Sequence, residues 1–258
     1  MIRTAIVAIF LTLCVLILGP PLLLYSWITG NPDALFFTGT GAAYFIARVV
    51  GIRVKIEGRE KIPSDVCLFL ANHTSFADPV PIIWAIPRRI GILLKKSLFS
   101  VPIFGWAMRA AKFVPVDRSN TESAMKSVDV AAERMKDGLS FLAYPEGSRS
   151  YDGRLMRFKR GVFIMAIKAG VQIVPMALAG AHKIAPKGSL KIHPGQVVVS
   201  FGAPIDASKY TVERRGELAA RVHDAIGDLL PPDQKPLKSG EAEEKTSGDD
   251  AEKLFFEE

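Results

Sequence analysis

The chain has 258 residues, is 49% hydrophobic with mean hydropathy +0.22, and carries a formal net charge of +7. That length fits one large domain or one domain with appendages, and a basic body beside an apolar start favours a membrane surface. No Lys/Arg run with interleaved aromatics is present, which argues against nucleic acid, and Cys14 and Cys67 form neither a disulfide framework nor a metal spacing.

Residues 5–28 are uncharged. At ~1.5 Å per residue they are long enough to cross a hydrocarbon core of about 30 Å. Pro20-Pro21 interrupts them, so a kinked span and a re-entrant hairpin both fit. A cleaved signal peptide is disfavoured, because no clear small-x-small site follows. The apolar stretch 35–51 supplies a partner or interfacial helix. Arg3 stands alone before the apolar segment, whereas Arg48, Arg53 and Lys55 follow it. The positive-inside rule then puts the body on the cytosolic face of the cytoplasmic (inner) membrane. Residues 1–50 are thus expected to form a membrane-associated helical segment.

Beyond Gly51, strand-like runs at 53–58, 66–71, 90–95, 112–117, 140–145, 173–180 and 196–202 alternate with helical stretches. The clearest helix is 119–137. Ser119 and Glu122 read as a capping box, Ala124, Val128, Ala131 and Met135 share a face, and Gly138 ends it. Further helices follow 158–161 and run from about Thr211 to Leu230. Such alternation predicts an α/β domain over residues 51–230, a central sheet flanked by helices. Residues 231–258 are polar and rich in acidic groups, and read as a disordered tail.

Three polar motifs follow strands, where α/β folds carry function. The first, NHTSFADP at 72–79, holds His73 and Asp78. Five apart, they would be rotated by about 140° on a helix, so they meet only if the chain turns, which Asn72, Thr74 and Ser75 favour. Asp78-Pro79 also has the form of an N-cap followed by proline, a competing use for the carboxylate. As a dyad, the acid would fix the imidazole while His73 takes a proton from a hydroxyl; Thr74 or Ser75 as nucleophile is the alternative. The second motif, YPEGSRS at 144–150, combines Glu146, Gly147, Ser148 and Arg149. Gly147 permits close backbone approach and the Arg149 fork suits phosphate, while a turn closed by a Glu146–Arg149 pair is the plainer reading. The third, KFVPVDRS at 112–119, offers Arg118 as a second cation, and Lys95 and Lys96 are further candidates or simply solvated charge.

In this order and spacing, NHTSFADP, VPVDR, YPEGSRS and the later VPMAL resemble the glycerolipid acyltransferase family, and within it the 1-acylglycerol-3-phosphate branch. The resemblance spans roughly residues 50–205. It implies His73 as general base with Asp78 as its partner, and substrate binding by Arg118, Glu146, Gly147, Ser148 and Arg149, with Ser148 replacing the usual Thr. Lys112 and Pro115 stand where the family often has Gly and Phe. The implied reaction passes an acyl group from acyl-CoA or acyl carrier protein, a co-substrate rather than a cofactor, to the sn-2 hydroxyl of lysophosphatidic acid. No metal is implied. Another lysolipid or glycerol 3-phosphate as acceptor, a hydrolase, and a non-catalytic lipid-binding protein are the rival readings.

Overall fold

A computed structural model describes residues 1–117 and 120–236. Three helices come first: α1 (Ile2–Ile17), α2 (Gly19–Thr29) and α3 (Asp33–Val49). The body continues as β1 (Ile52–Glu57), β2 (Cys67–Ala71), α4 (Pro79–Ala85), β3 (Gly91–Lys95), α5 (Phe104–Ala110), β4 (Val114–Val116), α6 (Thr121–Lys136) and β5 (Phe141–Ala143). It ends with α7 (Gly161–Ala169), β6 (Gln172–Ala179), α8 (Ala181–Ile184), β7 (Gly195–Phe201), β8 (Ile205–Asp206) and α9 (Arg215–Leu229). Every expected strand is present, and β8 is an addition.

The sheet runs β1-β7-β6-β2-β5-β3-β4, with β8 beside β6. β6, β2, β5, β3 and β4 are mutually parallel, whereas β7 pairs antiparallel to β6 and carries β1 alongside in parallel. The central sheet is therefore mixed. It puts the C-terminal ends of β2, β5, β3, β4 and β6 at one edge, so the loops after them converge.

β2 shows why the chain forms a layered core. All five of its residues are buried. Leu68 and Leu70 face a cluster that includes Val128, Ala131 and Met135 of α6, Phe163 of α7 and Val222 of α9. Cys67, Phe69 and Ala71 face the opposite cluster, with Phe36 of α3, Ile82 of α4 and Ile184 of α8. A strand covered on both faces reads as a continuous apolar run, as the sequence does.

α6 starts one residue later than the expected capping box. Asn120 is its N-cap, and its side chain accepts from Ser123 N–H at 2.8 Å. Gly138 ends it at φ 96°. Lys112, at the place where the resembled family often has glycine, takes φ 61°, the left-handed region that glycine enters without strain.

No single helix among the described residues is long and apolar enough to cross a membrane; α1 and α2 together meet that length and composition, bent by 43°. The bend falls at Leu18–Gly19, just before Pro20-Pro21. α1 buries none of its residues, and Ile6, Ile9, Leu13, Leu16, Trp27 and Ile28 are exposed. One hydroxyl ties this helix to the body: Thr4 Oγ1 donates to the Leu190 carbonyl at 2.7 Å and accepts from Ile192 N–H at 3.1 Å. At the other end of the chain, residues 231–236 pack onto the body, and Gln234 is 2% exposed. Residues 237–258 of the expected tail lie outside the described residues.

Candidate active site

β2 ends at Ala71, and Asn72 carries its pairing on through a side chain. Asn72 Nδ2 donates to the Leu178 carbonyl at 3.0 Å, and Leu178 N–H donates to Asn72 Oδ1 at 2.7 Å. The chain then turns. Asp78 Oδ2 accepts from Thr74 N–H at 2.7 Å and Ser75 N–H at 2.9 Å, and lies 2.8 Å from His73 Nδ1. The turn the spacing requires is thus built by the acid itself. Asp78 precedes α4 but makes no side-chain cap bond, so its carboxylate is committed to the loop and the imidazole.

Asp78 is fully buried, and the His73 side chain is 15% exposed. Oδ2 already accepts two N–H bonds, so it meets Nδ1 as an acceptor. Nδ1 then carries the proton, and Nε2 keeps its lone pair. The imidazole face stacks on Tyr144, with ring centroids 4.1 Å apart and planes 18° apart. Burial and the nearby Asp78 charge hold the Tyr144 phenol well above its ordinary pKa, so it stays neutral. Thr74 and Ser75 are fully buried, and Ser75 Oγ donates to the Ala185 carbonyl at 2.9 Å while accepting from Ala77 N–H at 3.1 Å. Ser75 serves the loop and is closed to an incoming acyl group.

The second motif follows β5. Glu146 is 4% exposed. Its Oε1 accepts from His73 N–H at 2.7 Å and its Oε2 from Met156 N–H at 3.3 Å. The expected pair with Arg149 is not made, and both carboxylate oxygens are taken by backbone N–H groups. Burial drives its pKa up to about 8 against the pull of those two N–H bonds, and the Asp78 charge adds to the rise. The two motifs are further sewn together by Ser150 N–H donating to the His73 carbonyl at 2.8 Å. Gly147 has φ 76°, Ser148 is exposed, and the Arg149 carbonyl accepts from Lys187 Nζ at 2.8 Å.

Arg118 lies outside the described residues. Lys96 reaches Asp117 at 4.0 Å, and Lys95 is exposed at the end of β3. An apolar groove of about 580 Å³ opens beside the loops. Its walls include Val7 and Leu11 of α1, Ile46 and Ala47 of α3, Phe76, and Ile184 of α8, with Arg149 the guanidinium among its lining. Sequence reasoning missed Tyr144, Lys187 and Gln234. Each is an ordinary residue at an ordinary spacing, and only the pairing of distant loops brings it to the site. Gln234 accepts from Gly180 N–H at 2.8 Å, donates to the Gly153 carbonyl at 3.1 Å, and takes Leu155 N–H on its own carbonyl at 2.9 Å. It thereby holds the segment after Arg149 against the start of the groove wall.

A buried acid on Nδ1 of a histidine thus stands at the parallel strand ends, in a loop whose Phe76 and Ala77 line the apolar groove. The family model described as Acyltransferase matches residues 53–179. Proteins named 1-acyl-sn-glycerol-3-phosphate acyltransferase are similar in sequence. That of Limnanthes douglasii is 33% identical over 74% of this chain and 68% of its own length. That of Cocos nucifera is 34% identical over 74% of this chain and 62% of its own length. That of Pseudomonas aeruginosa is 30% identical over 73% of each. The chain belongs to the acyltransferase family, and it spans between 62% and 73% of the length of these three relatives. In fold it is similar to the crystal structure of the 1-acyl-sn-glycerophosphate (LPA) acyltransferase of Thermotoga maritima, with a TM-score of 0.71 and 24% identity, covering 86% of this chain and 94% of that one.

Proposed function

We propose that the protein transfers an acyl group from a thioester donor, acyl-CoA or acyl carrier protein, to the sn-2 hydroxyl of lysophosphatidic acid, giving phosphatidic acid. The observation that carries this is the 2.8 Å contact between His73 Nδ1 and Asp78, which leaves Nε2 as the basic nitrogen of a loop whose Phe76 and Ala77 line an apolar groove. Nε2 takes the proton of the sn-2 hydroxyl as its oxygen attacks the thioester carbonyl. The carbon–sulfur bond of the tetrahedral intermediate then breaks, and the proton passes from the imidazolium to the departing thiolate. Asp78 stabilises the imidazolium between these steps. No protein nucleophile is needed, in keeping with the structural use of Ser75. Arg149, with Arg118, holds the acceptor phosphate and so fixes the hydroxyl against Nε2, the proximity contribution. The groove takes an acyl chain. The exposed apolar surface of α1 and α2 seats the enzyme at the cytosolic face of the inner membrane, where acceptor and product reside.

The test is an acyl-transfer assay on the purified full chain with lysophosphatidic acid, glycerol 3-phosphate, a phosphate-free monoacylglycerol, or no acceptor. Lysophosphatidic acid is expected to be used best. Acyl release without any acceptor would make the protein a hydrolase, and an unchanged rate for His73→Ala would remove the base assignment.

A further inference from the structure

We propose that Lys159 is a further binding residue of this site, its ammonium meeting the acceptor phosphate together with Arg149; this role rests on the acyl-transfer function proposed above. The segment 156–159 is laid along the Glu146–Arg149 turn by two of its backbone N–H groups, one donating to a side chain and one to a carbonyl. Met156 N–H reaches Glu146 Oε2 at 3.3 Å, and Lys159 N–H reaches the Pro145 carbonyl at 2.8 Å. Between them Phe158 turns inward, packing at 4.8 Å against His223 and 6.3 Å against Phe163. The next residue, Lys159, is exposed.

Its stem crosses Gly147. A methyl group on Gly147 would sit 3.0 Å from Lys159 Cδ and Cε and 3.4 Å from Nζ. The bare glycine at φ 76° is what lets the ammonium lie against the turn that bears Ser148 and Arg149. Neither Lys159 nor Arg149 has a carboxylate within ion-pair distance among the described residues. The acid in the turn, Glu146, spends both oxygens on backbone N–H groups and is shielded by burial, so it neutralises neither cation. Two cations are thus brought to one turn without an internal counter-charge. A phosphate monoester has three terminal oxygens. The planar guanidinium can take two of them, and a compact ammonium suits the remainder.

Binding to the purified full chain is measured without donor, using short-chain lysophosphatidic acid and the matching phosphate-free monoacylglycerol as probes. Lys159→Gln is expected to weaken lysophosphatidic acid binding about tenfold, as befits one charged contact, while monoacylglycerol binding stays within about twofold. Lys159→Arg should recover most of the loss. Arg160→Gln serves as the control and should move neither, because its guanidinium lies over Gly216 of α9, 3.7 Å from a Cβ placed there. Equal weakening of both probes, no weakening of either, or a loss seen only when acyl-CoA is titrated would overturn the assignment. A wild-type protein that binds lysophosphatidic acid through Lys159 but never acylates it would remove the proposed reaction and leave this binding role standing.

Discussion

Asp78→Asn separates the chemical duty of the acid from its structural one. Oδ2 holds three groups: Thr74 N–H, Ser75 N–H and His73 Nδ1. An asparagine oxygen can still accept from the two backbone amides, so the turn keeps its shape. Each of those bonds falls from the charged to the neutral class, about 1 kcal/mol apiece. A loss of about 2 kcal/mol lowers the melting temperature of a domain of this size by roughly 4–8 °C. The imidazolium, however, loses its counter-charge and the ring loses the acceptor that fixes its proton on Nδ1. Turnover is therefore expected to fall by about 10²–10⁴-fold. Thiol release from an acyl-CoA donor at saturating acceptor measures kcat, and circular dichroism checks the fold. A folded Asp78→Asn protein with kcat within tenfold of wild type would refute the dyad. So would a defect confined to KM for the acceptor.

The remaining expectations follow from other parts of the structure. Glu146, raised to about 8 by burial, keeps a proton that the unfolded chain releases near 4.5. Its contribution to stability is therefore full below pH 4.5 and is lost as pH rises to 8, at up to about 1.4 kcal/mol per pH unit. Urea unfolding of Glu146→Gln between pH 5 and 8 should show a flatter decline than wild type, and parallel curves would contradict the burial argument. Gln234→Ala leaves Gly180 N–H and the Gly153 carbonyl without their partner, a loss of about 2–4 kcal/mol readable as a lowered urea midpoint; an unchanged midpoint would show that residues 231–236 do not brace the body. Ala47→Phe narrows the groove, and at about 0.8 kcal/mol per buried methylene it should shift relative rates in a donor series toward shorter acyl chains. Proportional loss across the series would instead detach the groove from the acyl chain.

Much of this was legible in the sequence because its signals are local. The seven expected strands are all present, since runs such as CLFLA are apolar on both faces and can only lie inside a layered core. The pairing of His73 with Asp78 was legible as chemistry, but whether Asp78 capped α4 was not, because a carboxylate at that spacing serves either end equally well. Glu146 is left open by the sequence to a turn pair with Arg149 or a ligand contact. Its burial depends on His73 and Met156 N–H groups that come from two different loops. The order of the strands, and the reversal of β7 and β1, depend on long-range pairing and leave no periodic trace. Asn120 caps α6, one position beyond the expected Ser119, which lies outside the described residues, and composition alone does not separate two adjacent cap-forming residues.

The freedom of Asp78 has an origin in the next three residues, Pro79-Val80-Pro81. Helix beginnings normally expose amide hydrogens in search of an acceptor. Two imino acids delete two of those demands, and Val80 N–H finds the Ala77 carbonyl at 3.1 Å. A helix opening that asks for nothing leaves its neighbouring acid unclaimed. Replacing either proline with alanine would restore an appetite for that acid, and a substitution that touches no reacting atom would set secondary structure in competition with the imidazole.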